Sequence, residues 1–438
     1  MKADELLVRE LAWIEPAEMF MRLSGLPGIA FLDSAAIGDP RSTTSYIAID
    51  PAEEIRLGTA SMDEALRALR RLHVPTASPT PLPFSGGLIG LLSYDLGPSA
   101  LGVRSRHATD PELPALVVRR YDLVLGFDHG TQRAWGFARP RGATRAEERL
   151  ARLLDIAEPL PARHPVPAWA EETSPERHAK MIEAVLGYLR AGDIYQANIS
   201  TRFAAPRPPG FSPAAAYFAL RARTPAPFSA YLDLGGGSSL LSASPERFVR
   251  CDPAGRVETR PIKGTAPRSS DPEQDRRNGE RLAESAKDRA ENLMICDLLR
   301  NDLSIVAEEG SVTVSQIAEL EGFASVWHLV SAIHARLRTG KDAIDLLAAT
   351  FPGGSITGAP KRRAVEIIDA VEESPRGPFF GVLFALSNDG TLDSSIVIRS
   401  IAATPSRLIA RAGGGIVADS VAADEYAELH AKIDPVLG

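Results

Sequence analysis

The chain has 438 residues and a mass of 46.9 kDa, and its 44% hydrophobic and 24% charged residues allow a large core in two or three domains. Its 49 basic and 56 acidic side chains give a formal net charge of −7 and are dispersed rather than blocked, which excludes nucleic acid as the main partner. No run approaches the ~20 apolar residues of a membrane span, and MKADELLVRE places acids where a secretory leader needs a basic and then an apolar run, so a cytoplasmic protein is expected.

Residues 1 to about 140 read as short strands and turns, with a helix across MDEALRALRRL (62–72) and strands in LPALVVRRYDLVLGFD (113–128) and TQRAWGFA (131–138). The paired glycines of FSGGLIGLLSYDLG suit tight strand packing. A helix over 143–156 leads into the proline-spaced EPLPARHPVPAW (158–169), the expected boundary between two sequence regions. From Ser174 the spacing of Met181, Ile182, Val185 and Leu189 predicts a helix. It is followed by the strand IYQANISTRFAA, a helix near AAAYFALRAR, and the strand pairs SAYLDLG with SSLLSAS and RFVRCD with RVETRP. Strands and helices in blocks favour α+β packing over a doubly wound sheet. The polar stretch RSSDPEQDRRNGE (268–280) reads as mobile.

Several segments can carry chemistry. Only seven of the 49 basic residues are Lys, so a retained Lys points somewhat more to a titratable amine, which guanidinium does not readily become. Lys263 stands between a strand and a glycine turn in ETRPIKGTAPR, either reaching a cleft or serving as a surface cation. SASPERF ends a strand and presents Glu246; KDRAENLMICDLLRNDL (287–303) reads as a helix with Glu291 at its polar edge and a buried free thiol, Cys296. In the helix ADEYAELHAK (423–432), Glu425 and Glu428 share a face. Glu291 and Glu428, with Glu425 through a water, suit Mg²⁺; the alternative is a solvated face on which Glu428 pairs Lys432. FPGGSITGAPKRRAVEIIDAVEE joins a glycine loop to a helix start that fits an anion, without the spacing of a nucleotide-binding P-loop. RAGGGIVADS permits close backbone approach to a ligand or marks a bulge, and Arg399 in SSIVIRS is either a carboxylate clamp or an ordinary strand-end cation.

Taken in order, YQANIS, SASPERF, RPIKGT, DRAEN-x-MI-x-DLLRNDL, GGSITGAPK, IVIRS and GGGIVADS resemble the chorismate-utilising enzyme family across about 174–435, the catalytic region. GGLIGLLSYDLG in region 1–140 resembles the N-terminal region of that family's anthranilate synthase type. The resemblance implies two packed, roughly orthogonal antiparallel β-sheets flanked by helices, with both regions in one unit. It also implies chorismate as substrate, Mg²⁺ as cofactor, Glu246 as general acid, and Glu291, Glu428 and Glu425 at the metal. Gly264, Thr265, His328, Thr357, Arg399, Gly413, Gly414, Gly415 and Lys432 fall at substrate-binding positions. Ser34, Pro227, Phe228 and Ser229 resemble the tryptophan-binding elements of the wider family.

Two positions sort the chain within the family. Water-adding members carry a lysine where YQANIS has Gln196, so ammonia is the expected nucleophile; members that also eliminate pyruvate typically read PIAGT where this chain has PIKGT with Lys263. The implied reaction is amination of chorismate to 4-amino-4-deoxychorismate, on the route to 4-aminobenzoate and folate. Lys263 is then the covalent nucleophile. With no glutaminase triad motif in the chain, a separate glutamine amidotransferase subunit is expected to supply ammonia. The rivals are anthranilate formation and a non-catalytic chorismate- or tryptophan-binding subunit. The latter is prompted by Phe379 and Ala385: the family usually has a chorismate-contacting Tyr where Phe379 stands and a Gly-Tyr pair where Phe384 and Ala385 stand.

Overall fold

A computed structural model describes residues 5–76, 79–156, 167–323 and 326–438. The connector expected at 158–169 falls largely outside them. Two antiparallel sheets of twelve and ten strands carry eleven α-helices among the described residues, the α+β architecture expected from the blocks of strands and helices.

Each sheet is assembled from both sequence regions. In the larger one, Ala30–Asp33 pairs with Phe228–Gly235 through Ser229↔Asp33 and Ala230↔Leu32. In the smaller one, Gly87–Leu92 pairs with Val382–Ser387 through Val382↔Leu92 and Ser387↔Gly87. Gly87–Leu92 is buried at every position, as a strand covered on both faces must be. Its first residue has to be glycine: φ is +137°, and a Cβ would sit 2.2 Å from the Leu386 carbonyl oxygen. Gly87→Ala is expected to cost about 3 kcal/mol, read as a lowered thermal unfolding midpoint; an unchanged midpoint would refute this packing.

Helices form where caps and apolar stripes agree. Met62–Leu72 opens on a Ser61–Glu64 capping box and buries Met62, Ala65, Ala68, Leu69 and Leu72. Ala286–Ser304 is capped by Ser285 and buries Asn292, Ile295, Cys296, Leu299, Asp302 and Leu303, which leaves Lys287 and Glu291 one turn apart toward the same cavity. Ala422–Leu437 buries Leu429, Ile433 and Val436 and carries Glu425, Glu428 and Lys432 beside that stripe. Cys251 and Cys296 are both free and buried.

The stretch expected to be mobile is instead a helix, Pro272–Ala283. The Asp271 carboxylate caps it, Pro272 fits its first turn, and Glu273, Arg276 and Glu280 form ion pairs along one side. Arg268 also grips Asp275, holding that carboxyl down to about 2. A polar composition conceals the helix because only Asn278, Gly279 and Leu282 are buried. No helix among the described residues is long and apolar enough to cross a membrane.

Candidate active site

One cavity of about 510 Å³ collects Glu246, Lys263 and most of the other expected site residues. Strand Ser238–Ser244 ends at Pro245, and the next residue, Glu246, turns into it. Lys263 comes from strand Ile262–Pro267, where a register shift between Lys263 and Thr265 leaves Gly264 at φ +78°. Such a bulge re-aims side chains, and here Lys263, Gly264 and Thr265 all line the cavity. The neighbouring strand Val326–Arg336 brings His328 opposite Thr265, whose hydroxyl lies 2.9 Å from His328 Nδ1.

Burial sets the ionisation of these groups. It pushes the Glu246 carboxyl up, with a hydrogen bond from Ser355 and the charge of Lys263 offsetting part of the rise. It pushes the Lys263 amine down, opposed by Glu291, Glu246 and Glu428 and assisted by Lys432. Desolvation lowers His328 to about 4, so at neutral pH this histidine is an uncharged hydrogen-bonding group. The guanidinium of Arg399, a residue at φ +49°, makes no hydrogen bond or ion pair among the described residues, and burial lowers its pKa. A half-buried guanidinium without a partner in a cavity wall is a ready site for a carboxylate.

Glu291, Glu425 and Glu428 face the same space from two helices. Their present partners are cations and a hydroxyl. Glu428 Oε1 accepts from Lys432 Nζ at 2.5 Å, Glu425 Oε1 accepts from Ser420 Oγ at 2.7 Å, and Lys287 Nζ stands 3.8 Å from Glu425. Burial raises Glu428, but Lys432 outweighs it and holds the carboxyl below its ordinary value; Glu291 remains raised by burial despite Lys263 and Lys287. Among the described residues no three His, Cys, Asp or Glu side chains are already gathered as a metal cage. The donor set is nonetheless of the right kind for a hard cation: carboxylate oxygens in a half-buried wall, one of them carrying an uncompensated burial penalty.

Gly413 and Gly415 line the cavity from strand Arg407–Ile416, and Lys432 Nζ donates to the Gly413 carbonyl at 3.0 Å. Gly414 sits between them on the side of the carboxylates, where a Cβ would come 3.1 Å from Glu425 Oε2 and 3.7 Å from Glu428 Oε1. Thr357 does not line the cavity. It is fully buried, and its hydroxyl donates to Gly353 O at 2.8 Å, which closes the loop on itself. The wall facing 376–385 also differs from expectation: Phe380 lines the cavity and Phe379 does not, Ala385 opens onto a second cavity, and Phe384 packs where a Gly90 Cβ would be 2.8 Å from its ring.

Composition and motif reading missed Ser355, Asn198, Lys287 and Arg411, all on the cavity wall. Ser355 stands beside both Glu246 and Lys263: its hydroxyl is near enough to Glu246 to pull that carboxyl down, and its carbonyl oxygen is 3.5 Å from Lys263 Nζ. Its place between Gly354 and Ile356 in a loop suited to an anion was the available signal. Gln196 is fully buried with neither amide atom partnered, packed where a Gly415 Cβ would lie 2.0 Å from its Nε2.

The second cavity, about 660 Å³, gathers Ser34, Pro227, Phe228 and Ser229 between the sheets. Arg41 links the two spaces, since it lines the second cavity and donates to Pro245 O beside Glu246.

Residues 32–438 match the family model described as chorismate binding enzyme. Aminodeoxychorismate synthase component 1 of Klebsiella aerogenes is 45% identical over 81% of this chain and 77% of its own length. The Escherichia coli protein of that name is 38% identical over 100% of this chain and 99% of its own. Anthranilate synthase component 1 of Thermus thermophilus is 35% identical over 96% of this chain and 94% of its own. Among solved structures, anthranilate synthase component I from Streptococcus pneumoniae superposes with a TM-score of 0.79 at 29% identity, covering 90% of this chain and 92% of that one. The menaquinone-specific isochorismate synthase from Escherichia coli has the same fold, with a TM-score of 0.74 at 18% identity, covering 100% and 95%. With the model match running through nearly all of the strands that build the cavity, the chain belongs to the chorismate binding enzyme family.

Proposed function

We propose that the chain aminates chorismate at C4, the reaction of an aminodeoxychorismate synthase component 1, with ammonia drawn from a glutamine amidotransferase subunit and the product serving 4-aminobenzoate and folate synthesis. The observation that carries this reading is the burial of Lys263 beside Glu246 in one cavity. Direct displacement of the C4 hydroxyl by ammonia must expel a poor leaving group, and a covalent relay divides that barrier. The neutral Lys263 amine bonds to C2 as both conjugated ring double bonds shift and the C4 hydroxyl leaves, protonated by Glu246 to water. Ammonia then bonds to C4, both double bonds return, Lys263 is expelled from C2 as the amine, and Glu246 recovers a proton from the incoming nitrogen. The enolpyruvyl ether stays on the ring throughout. Thr265 and neutral His328 offer hydrogen bonds, and Arg399 with the Gly413 and Gly415 backbone holds carboxylate.

Mg²⁺ belongs to the same reading. Glu291 and Glu428, with Glu425 through a water, would hold it, and the bound ion would anchor the substrate's ring carboxylate and neutralise its charge. The second cavity is proposed to take tryptophan, on the resemblance carried by Ser34, Pro227, Phe228 and Ser229.

The test is direct. Purified chain with chorismate, Mg²⁺ and excess ammonium is expected to yield aminodeoxychorismate by mass. Fluorescent anthranilate would instead assign the pyruvate-eliminating reaction, and no turnover would favour a binding subunit.

A further inference from the structure

The wall behind the acid and the amine is held by a guanidinium that neither of them touches. Arg376, 3% exposed, grips Glu372 with one edge, Nε to Oε2 at 3.0 Å and Nη2 to Oε1 at 2.7 Å. It also donates Nη1 to the Ile356 carbonyl at 2.8 Å and Nη2 to the Asn198 carbonyl at 2.6 Å. Its charge lies 4.4 Å from the centre of the Tyr94 ring and 4.7 Å from that of Phe380. Asn198, Ile356 and Phe380 all line the cavity and come from three separate segments, so one side chain ties three pieces of wall together. Glu372, 1% exposed, keeps Arg376 in place and also accepts from Ser200 and Arg411. Its carboxyl is held below the ordinary value because Arg376 and Arg411 outweigh its burial.

A buried ionic network is a poor source of stability compared with apolar packing. What it supplies is geometry, and only the planar five-donor fork of arginine can grip a carboxylate and two carbonyls at once. Ile356 directly follows Ser355, the residue that touches both Glu246 and Lys263. We propose that Arg376 is a positioning residue for the acid and amine: by fixing the Ile356 carbonyl it determines where Ser355 meets Glu246 and Lys263. This inference rests on the amination reading above.

The experiment compares wild type with Arg376→Lys, Arg376→Gln, Ser355→Ala and the double variant Arg376→Lys/Ser355→Ala. Each is assayed for kcat and KM with chorismate at saturating ammonium across pH, with folding followed by circular dichroism and melting. Arg376→Lys is expected to stay folded and lose about 10- to 100-fold in kcat with a smaller change in KM. Its pH optimum should move upward, because Glu246 loses the Ser355 bond that offsets its burial. On the Ser355→Ala background, which removes the hydroxyl beside Glu246 but keeps the carbonyl beside Lys263, the same change should cost less than it does in wild type and should not move the optimum further. Fully multiplicative losses with an unmoved optimum would overturn the proposal, as would failure of both Arg376 variants to fold, which assigns the guanidinium to stability alone. An inactive wild type would sink the amination reading itself, so the two failures are read from different samples.

Discussion

Lys263→Ala is expected to lower kcat for aminodeoxychorismate formation by about 1,000-fold or more, with KM for chorismate little changed. In the proposed mechanism the amine is the nucleophile of the first half-reaction, and no other lysine lining the cavity is free to replace it: Lys432 is engaged with Glu428 and Gly413, and Lys287 lies toward Glu425. The groups proposed to hold substrate carboxylate, Arg399 and the glycine backbone, are untouched by the change. Wild type quenched after incubation with chorismate, without ammonium, should carry on Lys263 an added mass of chorismate less one water, absent in the variant. A Lys263→Ala enzyme that kept more than half its rate would end the covalent reading.

Glu246→Gln is expected to lower kcat by about 100- to 10,000-fold, since glutamine cannot deliver a proton to the departing hydroxyl. The pH profile of kcat/KM carries the sharper sign. Activity needs a neutral Lys263, so it rises with pH through a pKa that burial has brought below the usual lysine value. It also needs a protonated Glu246, so it falls through a pKa that burial has lifted above the usual carboxylate range. Wild type should therefore give a bell. The glutamine variant should keep only the rising limb, and at lower pH than before, because the carboxylate charge that steadied protonated Lys263 is gone. A variant that retained the full bell would exclude Glu246 as the acid.

The architecture was legible where periodicity is strong: Met62–Leu72, Pro175–Arg190 and Ala286–Ser304 all form where helices were expected, and in the structure each opens on a serine cap. It was illegible where burial is slight, as in Pro272–Ala283, whose stability comes from a cap and ion pairs rather than an apolar stripe. The site divides in the same way. Glu246 and Lys263 are individually unremarkable, a strand-end acid and a turn lysine, and acquire meaning only through their ordered motifs and shared cavity. Ser355 escaped because nothing local distinguishes its hydroxyl from that of Thr357, which is spent on its own loop. Phe379 and Phe380 exchange roles because the positive φ of Phe380, +62°, turns the chain at that point, and a neighbour-dependent twist cannot be read from residue type.

The splicing of both sheets across the two sequence regions constrains how the protein is born. Strand Gly87–Leu92 emerges from the ribosome nearly three hundred residues before its partner Val382–Ser387, and Ala30–Asp33 waits about two hundred for Phe228–Gly235. Pairings of such separation close slowly, and the apolar edges left open meanwhile are aggregation-prone, so a nascent chain of this kind is a natural client of holding chaperones. Helix Ala422–Leu437 is translated later still and brings Glu425, Glu428 and Lys432 with it. A chain stalled before this helix is thus expected to be inert rather than half-active, since it lacks the carboxylates proposed to hold Mg²⁺.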